Sequence, residues 1–287
     1  MCCDGRVSDI DTDLASVRAV AEQLAAEAAA FVRRRRTEVF DTAGSDQDGA
    51  IRAKSTPTDP VTVVDTETER LLRDRLADLR PGEPILGEEE GGPEGGDDGR
   101  LTWVLDPIDG TVNFVYGIEA FAVSVGVQRG GVSVAGAVAD VAAGAVYSAA
   151  RGHGARVTRD GQSTALRCSA ATSLSMALVG TGFSYQPEDR RRQGTVMAAL
   201  LPQIRDLRRI GSCALDLCMV AAGRLDAYYE DGVHVWDWAA GALIAAEAGA
   251  VVRAPGQRGP GLMVAAAPGL APAFDEALQQ CGLDLRR

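Results

Sequence analysis

The sequence predicts an α+β fold of two stacked lobes, and three features of the 287-residue chain point to it. Short β-like runs separated by Gly-rich turns crowd into residues 101–148, the pattern of a largely antiparallel sheet. Apolar helical stripes come before them, over 13–40 and 64–80. After about residue 150, helices and strands alternate, which marks an α/β lobe. The boundaries are 12–150 for the N-terminal lobe and 151–287 for the C-terminal lobe, two halves of one domain of ordinary size.

Taken in order, residues 1 to about 11 read as a loose polar tail. From Asp13 to Phe40, Leu14, Val17, Ala21, Leu24, Ala28 and Phe31 recur at three- and four-residue steps on one helical face. The block Arg33–Arg36 near the end of that helix suits the negative pole of its dipole. Residues 41–60, rich in Gly, Asp, Ser, Thr and Pro, read as a long exposed loop, and a second helix runs from Val64 to Arg80. The segment GEEEGGPEGGDDGR (87–100) has a flexible composition. Strands are expected at 101–105, 121–127, 132–139 and 144–148. The second half gives a strand near 176–181, helices near 194–201 and from Ser212 to Gly223, and a strand at 226–230. An Ala-rich helix at 237–249, the strand LMVAAA and a terminal helix at 271–281 complete it.

A formal charge of −11 argues against a general nucleic-acid partner, which normally meets a basic face. No run approaches eighteen apolar residues, and the N-terminus lacks a basic region followed by an apolar core, so neither a membrane span nor a secretory signal is expected. The cysteines, Cys2, Cys3, Cys168, Cys213, Cys218 and Cys281, have no zinc spacing, and His153 and His234 are the only histidines. A cytoplasmic protein with reduced thiols is the reading.

Five acids, Asp65, Glu88, Asp106, Asp109 and Asp237, each fall at the end of an inferred strand or the start of a helix. Singly they are ordinary: Asp65 and Asp237 as helix N-caps, Glu88 as a solvated charge, Asp-Pro and Asp-Gly as turn dipeptides. Together they are not. Asp106 follows the apolar run WVL, where an ionised carboxylate is costly unless paired or bound to a cation. A turn over 106–109 would aim Asp106 and Asp109 at one centre. Carboxylates that converge without matching Lys or Arg call for a hard cation. Thr111 adds a hydroxyl, and the N–H groups of Gly110 and Thr111 can meet a phosphate if a helix begins there. These are the parts for magnesium-assisted phosphoryl hydrolysis.

The segments GEE (87–89), WVLDPIDGT (103–111) and WDWAAGALIAAEAGA (236–250) resemble the inositol monophosphatase family. DPVTVVD (59–65) and GSCALDLCMVAAGRLDAYYE (211–230) match it in order and spacing, so the likeness covers about residues 14 to 270, with actinobacterial members the closest in kind. The resemblance implies a layered α-β-α-β-α sandwich of the sugar-phosphatase type, a homodimer, magnesium activation and lithium inhibition. By position, Glu88, Asp106 and the Ile108 carbonyl would bind one Mg2+ and Asp106, Asp109 and Asp237 a second. Asp65, with Glu88 through water, would hold a third and pair with Thr111. Gly110 and Thr111 would receive phosphate. Glu230 would bind inositol hydroxyls, with Gly211, Ser212 and Cys213 beside it, and Lys54 falls in the family's mobile loop. Val112, Ser212 and Cys213 depart from the residues common there, which leaves the metal positions intact and puts the alcohol side in question.

The expected chemistry is direct attack by water on a small sugar-alcohol phosphate, with Thr111, Asp65 and Glu88 orienting it or taking its proton. His153 reads as a surface residue and His234 as a structural residue first, with shaping of the leaving-group side as the alternative. Fructose 1,6-bisphosphate, histidinol phosphate or a 3′-phosphonucleotide are alternative substrates. Arg190–Arg192 or Arg208–Arg209 would then anchor a second phosphate, although solvated surface arginines are the simpler account. A regulatory binding protein is the alternative of another class.

Overall fold

Nine consecutive residues, Leu101–Asp109, form the strand on which the fold is organised, and all but the last are buried. The computed structural model describes residues 6–41, 51–54, 56, 59–93, 99–256 and 259–285. Helix α1 (Arg6–Arg36) opens the chain and runs into a π-helical turn, Thr37–Asp41. Strands β1 (Ile51–Ala53) and β2 (Pro60–Thr62) pair as an antiparallel ribbon ahead of α2 (Val63–Leu79). Next come β3 (Ile85–Gly87), β4 (Leu101–Asp109), α3 (Thr111–Tyr116), β5 (Ala122–Arg129), β6 (Val132–Asp140), β7 (Ala145–Ala150), β8 (Ala155–Arg159) and β9 (Gln162–Ala165). The chain continues through β10 (Leu178–Thr181), α4 (Pro187–Leu200), β11 (Asp206–Arg208), α5 (Cys213–Ala221), β12 (Ala227–Val233), α6 (Val235–Glu247), β13 (Val251–Arg253), β14 (Gly261–Ala266) and α7 (Ala271–Gln280).

Among the described residues the two large sheets are a seven-stranded one, β3 to β9 in chain order, and a five-stranded one ordered β11-β10-β12-β14-β13. Helices α1 and α2 cover one face of the first sheet, and α6 lies on its other face. With α5, α6 also meets the second sheet, while α7 lies on that sheet's far side and packs against α4. Five layers result, α-β-α-β-α, with an apolar core at each of the four boundaries. Each of the three inner layers can therefore bury both faces, and each outer helical layer buries one.

Several boundaries differ from the sequence reading. The helix starts at Arg6, inside the stretch read as a loose tail, and residues 1–5, with Cys2 and Cys3, lie outside the described residues. Part of the 41–60 loop is the β1–β2 ribbon. Helix α4 begins at Pro187, seven residues early, where proline at its first turn sacrifices no hydrogen bond. Strands β3, β8, β9, β11 and β13 went unread because each is only three to five residues long. The arginines at the end of α1 serve the tertiary structure more than the dipole. Arg33 donates to the Val141 carbonyl at 2.7 and 3.1 Å, Arg35 grips Glu67 at 2.8 Å, and Arg36 donates to the Phe114 carbonyl at 3.0 Å.

The Ala-Ala-Gly run of α6 is a packing device. A Cβ added to Gly126 would stand 2.8 Å from the Ala239 side chain, and one on Gly136 would stand 3.0 Å from both Ala240 Cα and Cβ. Small residues on both sides let the helix lie almost on the sheet, and α6 carries Asp237 in its first turn. Gly136→Val is expected to cost about 1–3 kcal/mol by overpacking. A thermal melt alongside an activity assay checks this, and an unchanged midpoint would show that the close approach is not tight.

Candidate active site

The strand β4 does not turn at Asp106-Pro107, contrary to expectation; it continues to Asp109 through a bulge. Asp106 pairs with Ser124 and Asp109 with Ala122, so three steps on β4 oppose two on β5. Proline is tolerated at such an irregularity because the ladder is already broken there. The Ile108 N–H donates to Asp106 Oδ1 at 3.0 Å, which closes a local turn within the strand. Gly110 follows with φ +99°, and α3 begins at Thr111. A side chain at 110 would fall 3.0 Å from the Ala120 carbonyl and 3.1 Å from that of Gly211, so backbone from the second lobe closes on the first here. Asn113 fastens the junction by donating to the carbonyls of Ala120 (2.7 Å) and Ile210 (2.9 Å).

Neither Asp65 nor Asp237 is an N-cap; both stand three residues inside their helices. Thr62 caps α2, and Asp65 Oδ2 accepts from the Thr62 N–H (2.9 Å) and hydroxyl (2.5 Å). Asp237 Oδ2 accepts from the His234 N–H at 2.6 Å. In each case one oxygen completes the helix start while the carboxyl still reaches the site. The other oxygen of Asp65 does so directly: the Thr111 hydroxyl lies 3.1 Å from Asp65 Oδ1 and 3.0 Å from the Ile108 carbonyl oxygen, one proton between two acceptors. Asp109 is held from the second lobe, its Oδ2 accepting from the Ser212 hydroxyl and the Ala214 N–H, both at 2.6 Å. Ser212 also accepts from the Leu215 N–H at 3.2 Å, so its hydroxyl, read as part of the alcohol pocket, is engaged in capping α5 and fixing Asp109.

Glu88 is presented by a device the sequence reading missed. Buried Glu69 on α2 accepts from the N–H groups of Glu89 (2.7 Å) and Glu90 (3.0 Å), pinning the turn after β3. A Cβ on Gly87 would lie 2.2 Å from Glu69 Oε1, which explains the glycine of the GEE segment. Lys54 reaches Glu88 at 2.7 Å and Glu89 at 2.5 Å. Burial opposes its charge, but the two glutamates outweigh that and hold its pKa up.

Asp65 and Asp106 are buried, whereas Glu88, Asp109, Asp237 and Glu230 keep a partly exposed edge. Burial pushes Asp65 and Asp109 up to about 7. Asp106 and Asp237 are driven well above the carboxylate range, by burial first and then by the facing carboxylates. For Asp106 these are Glu88, Asp109 and Asp237. Among the described residues no three His, Cys, Asp or Glu side chains stand close enough together, as they are, to hold a metal ion. The donor chemistry nevertheless fits a hard divalent ion: every candidate ligand is oxygen, the carboxylates repel one another, and burial penalises their charge.

On the alcohol side, Cys213 is buried and its thiol is pushed up by burial and by the charges of Glu230 and Asp109. Gly211 has φ +95°, and a Cβ there would fall 2.3 Å from Arg209 Nη1. Arg209 offsets the charge of Glu230, which separates it from Arg208, paired with Asp206 at 2.7 Å. Arg190 donates to the Ser184 carbonyl and Arg192 binds Asp231. Tyr185, also unread, feels the charges of Arg209, Asp59, Asp109 and Glu230, and its phenol is pushed up to about 12, chiefly by burial. No spacing rule would have found it, because it lies in the loop between β10 and α4. His153 is exposed, and the His234 ring stacks on Trp236 with centroids 4.7 Å apart.

The sequence profile of the inositol monophosphatase family matches residues 13–285. The chain belongs to the inositol monophosphatase family. Its relatives include the inositol-1-monophosphatase of Mycobacterium leprae, 66% identical over 278 residues, which span 94% of this chain and 96% of that protein. The Mycobacterium bovis inositol-1-monophosphatase is 65% identical over 277 residues, with the same coverage. Among solved structures, Mycobacterium tuberculosis SuhB superposes with a TM-score of 0.80 at 60% identity, covering 93% of this chain and 97% of that one. This member of the inositol monophosphatase family is thus a phosphatase with the layered fold of its relatives. Among the described residues no helix is long and apolar enough to cross a membrane.

Proposed function

We propose that this phosphatase hydrolyses myo-inositol 1-phosphate and related sugar-alcohol phosphates to the free alcohol and inorganic phosphate, in the cytoplasm, with magnesium. The observation that carries the reading is that Glu88, Asp106, Asp109 and Asp237 feel one another's charge, with Glu230 acting on Asp109, Glu88 acting on Asp65, and Asp65 bonded to the Thr111 hydroxyl. Glu88, Asp106 and the Ile108 carbonyl would hold one Mg2+; Asp106, Asp109 and Asp237 a second; Asp65 and Glu88 a third. Bound there, magnesium supplies Lewis acidity, easing proton loss from water and neutralising charge on the leaving alkoxide.

The chain's own residues do the rest. Thr111, held by Asp65, orients the attacking water, and Asp65 or Glu88 receives its proton. The N–H groups of Gly110 and Thr111 open α3 and meet the phosphate. Glu230 accepts hydrogen bonds from hydroxyls of the alcohol, with Gly211 and Cys213 alongside and Ser212 acting through Asp109. Lithium competes at the magnesium positions. The whole chain works as one catalytic domain, as a homodimer.

Phosphate release across myo-inositol 1-phosphate, fructose 1,6-bisphosphate, histidinol phosphate and a 3′-phosphonucleotide tests the reading, with and without magnesium and lithium. Arg209, which offsets the charge of Glu230, gives the bisphosphate reading a candidate anchor. Glu230 opposes it, since a carboxylate suits polyol hydroxyls and repels a second phosphate. A preference for the bisphosphate would replace the inositol assignment. Glu230→Gln is expected to raise KM for inositol 1-phosphate several-fold with kcat nearly unchanged. Equal losses on every substrate would remove its selectivity role.

A further inference from the structure

The strand pairing inside the second sheet sets two short sequences side by side. Strands β10 and β12 run parallel, with Gly180 beside Tyr228 and Thr181 beside Tyr229. One step further, Gly182 comes beside Glu230. The segment Gly-Thr-Gly (180–182) therefore lies along Tyr-Tyr-Glu (228–230), and alternation puts both glycines on the face that carries Tyr228 and Glu230.

That face has no room for side chains on the glycines. A Cβ on Gly182 would fall 1.9–2.1 Å from the three carboxyl atoms of Glu230. The φ of Gly182 lies outside the left-handed range, so its value is the space it leaves and not its flexibility. A Cβ on Gly180 would meet Tyr228 Cδ2 at 3.2 Å and Asp216 Oδ1 at 2.8 Å. Tyr228 is wholly buried, and its hydroxyl donates to Glu230 Oε2 at 2.6 Å. A charge-assisted O–H···O bond of that length is strong and directional. Tyr228 engages Oε2, and the carboxyl occupies the space that Gly182 leaves open, so both residues constrain where it sits.

We infer that Gly182 and Tyr228 are the positioning residues that set substrate choice, holding Glu230 so that it offers a single oriented acceptor to a polyol hydroxyl. The inference rests on the proposed role of Glu230 toward the alcohol. Neither residue touches the phosphate or the carboxylates around Thr111. Their loss should therefore weaken recognition of the alcohol and spare the hydrolytic step.

The test compares Tyr228→Phe and Gly182→Ala with wild type on two substrates, myo-inositol 1-phosphate and p-nitrophenyl phosphate, whose leaving group carries no neighbouring hydroxyls. Both variants should raise KM for inositol 1-phosphate roughly 5- to 30-fold while kcat stays within about threefold, a loss of order 1–2 kcal/mol. Parameters for p-nitrophenyl phosphate should not move. Tyr228 also meets the Cys213 thiol, so adding Tyr228→Phe to Glu230→Gln should raise KM for inositol 1-phosphate much less than Tyr228→Phe does alone, the glutamate being its main route. Gly182→Ala meets only the flexible end of a side chain, so it should fold even if the tyrosine variant does not. A wild type with no preference for inositol 1-phosphate would overturn the reading of Glu230 and this inference together. A wild-type preference that survives in the variants, or equal losses on both substrates, would overturn this inference alone.

Discussion

Asp106→Asn is expected to cut hydrolysis of inositol 1-phosphate by about a thousandfold while leaving the fold intact or stabilising it. Asp106 is the residue shared between two of the proposed magnesium positions, and it sits at the bulge from which Ile108, Asp109 and Thr111 are all placed. Removing its charge should cost on the order of 4 kcal/mol of transition-state stabilisation, a loss of about a thousandfold. Asn keeps an oxygen for the bond that Ile108 N–H makes to Asp106 Oδ1, so local structure should persist. It also relieves repulsion from Glu88, Asp109 and Asp237, so the chelated variant should melt at or above the wild-type temperature. Activity within about threefold of wild type in magnesium would show that this carboxylate is no ligand. A collapse of the melting temperature would instead make the loss one of folding.

The second large effect is a stability that runs opposite to the common pattern. In chelator, the protein should lose stability as pH rises from about 5 to about 8. The sign follows from the site carboxylates. Folded, Asp65 and Asp109 are pushed up to about 7, and Asp106 and Asp237 are driven well above the usual carboxylate range, all by burial before any other cause. Unfolded, such groups titrate near 4. Between those limits the folded state holds more protons, and raising the pH through the window removes stability. The sum is on the order of several kcal/mol, since each shifted unit is worth about 1.4 kcal/mol. Magnesium should reverse the trend, stabilising strongly at pH 8 and weakly at pH 5, where protons compete for the same oxygens. Calorimetry at both pH values, in chelator and in magnesium, reads this directly. A melting temperature that is flat or rises with pH in chelator would refute the mutual burial of these charges.

Much of the frame was legible because it depends on local pattern. The stripe from Leu14 to Phe31 and the run from Leu101 to Leu105 repeat at periods that only a helix or a buried strand satisfies. What escaped was short or conditional. Strands of three residues, such as β11 and β13, carry too few side chains for a period and exist because neighbouring strands pair with them. The bulge at Pro107 imitates a turn, because Asp-Pro has the same local preference in either setting. The four arginines closing α1 looked like dipole complements, and only their distant partners, two backbone carbonyls and the Glu67 carboxylate, reveal three of them as clasps or ion pairs.

For the proposed site, the sequence by itself nominated the inventory: Asp65, Glu88, Asp106, Asp109, Thr111 and Asp237 as oxygen ligands or donors to the substrate, and Glu230 through the family resemblance. Tertiary structure alone decided how each is held. Asp65 and Asp237 divide their oxygens between a helix start and the site, Ser212 serves Asp109, and Glu69 beneath Gly87 sets the turn that presents Glu88. Gly182 and Tyr228 belong with these, since their meaning arises only when β10 lies along β12. The physical reason is the same throughout. A residue's donor chemistry is fixed by its own side chain, but the direction in which it is spent depends on partners distant in sequence.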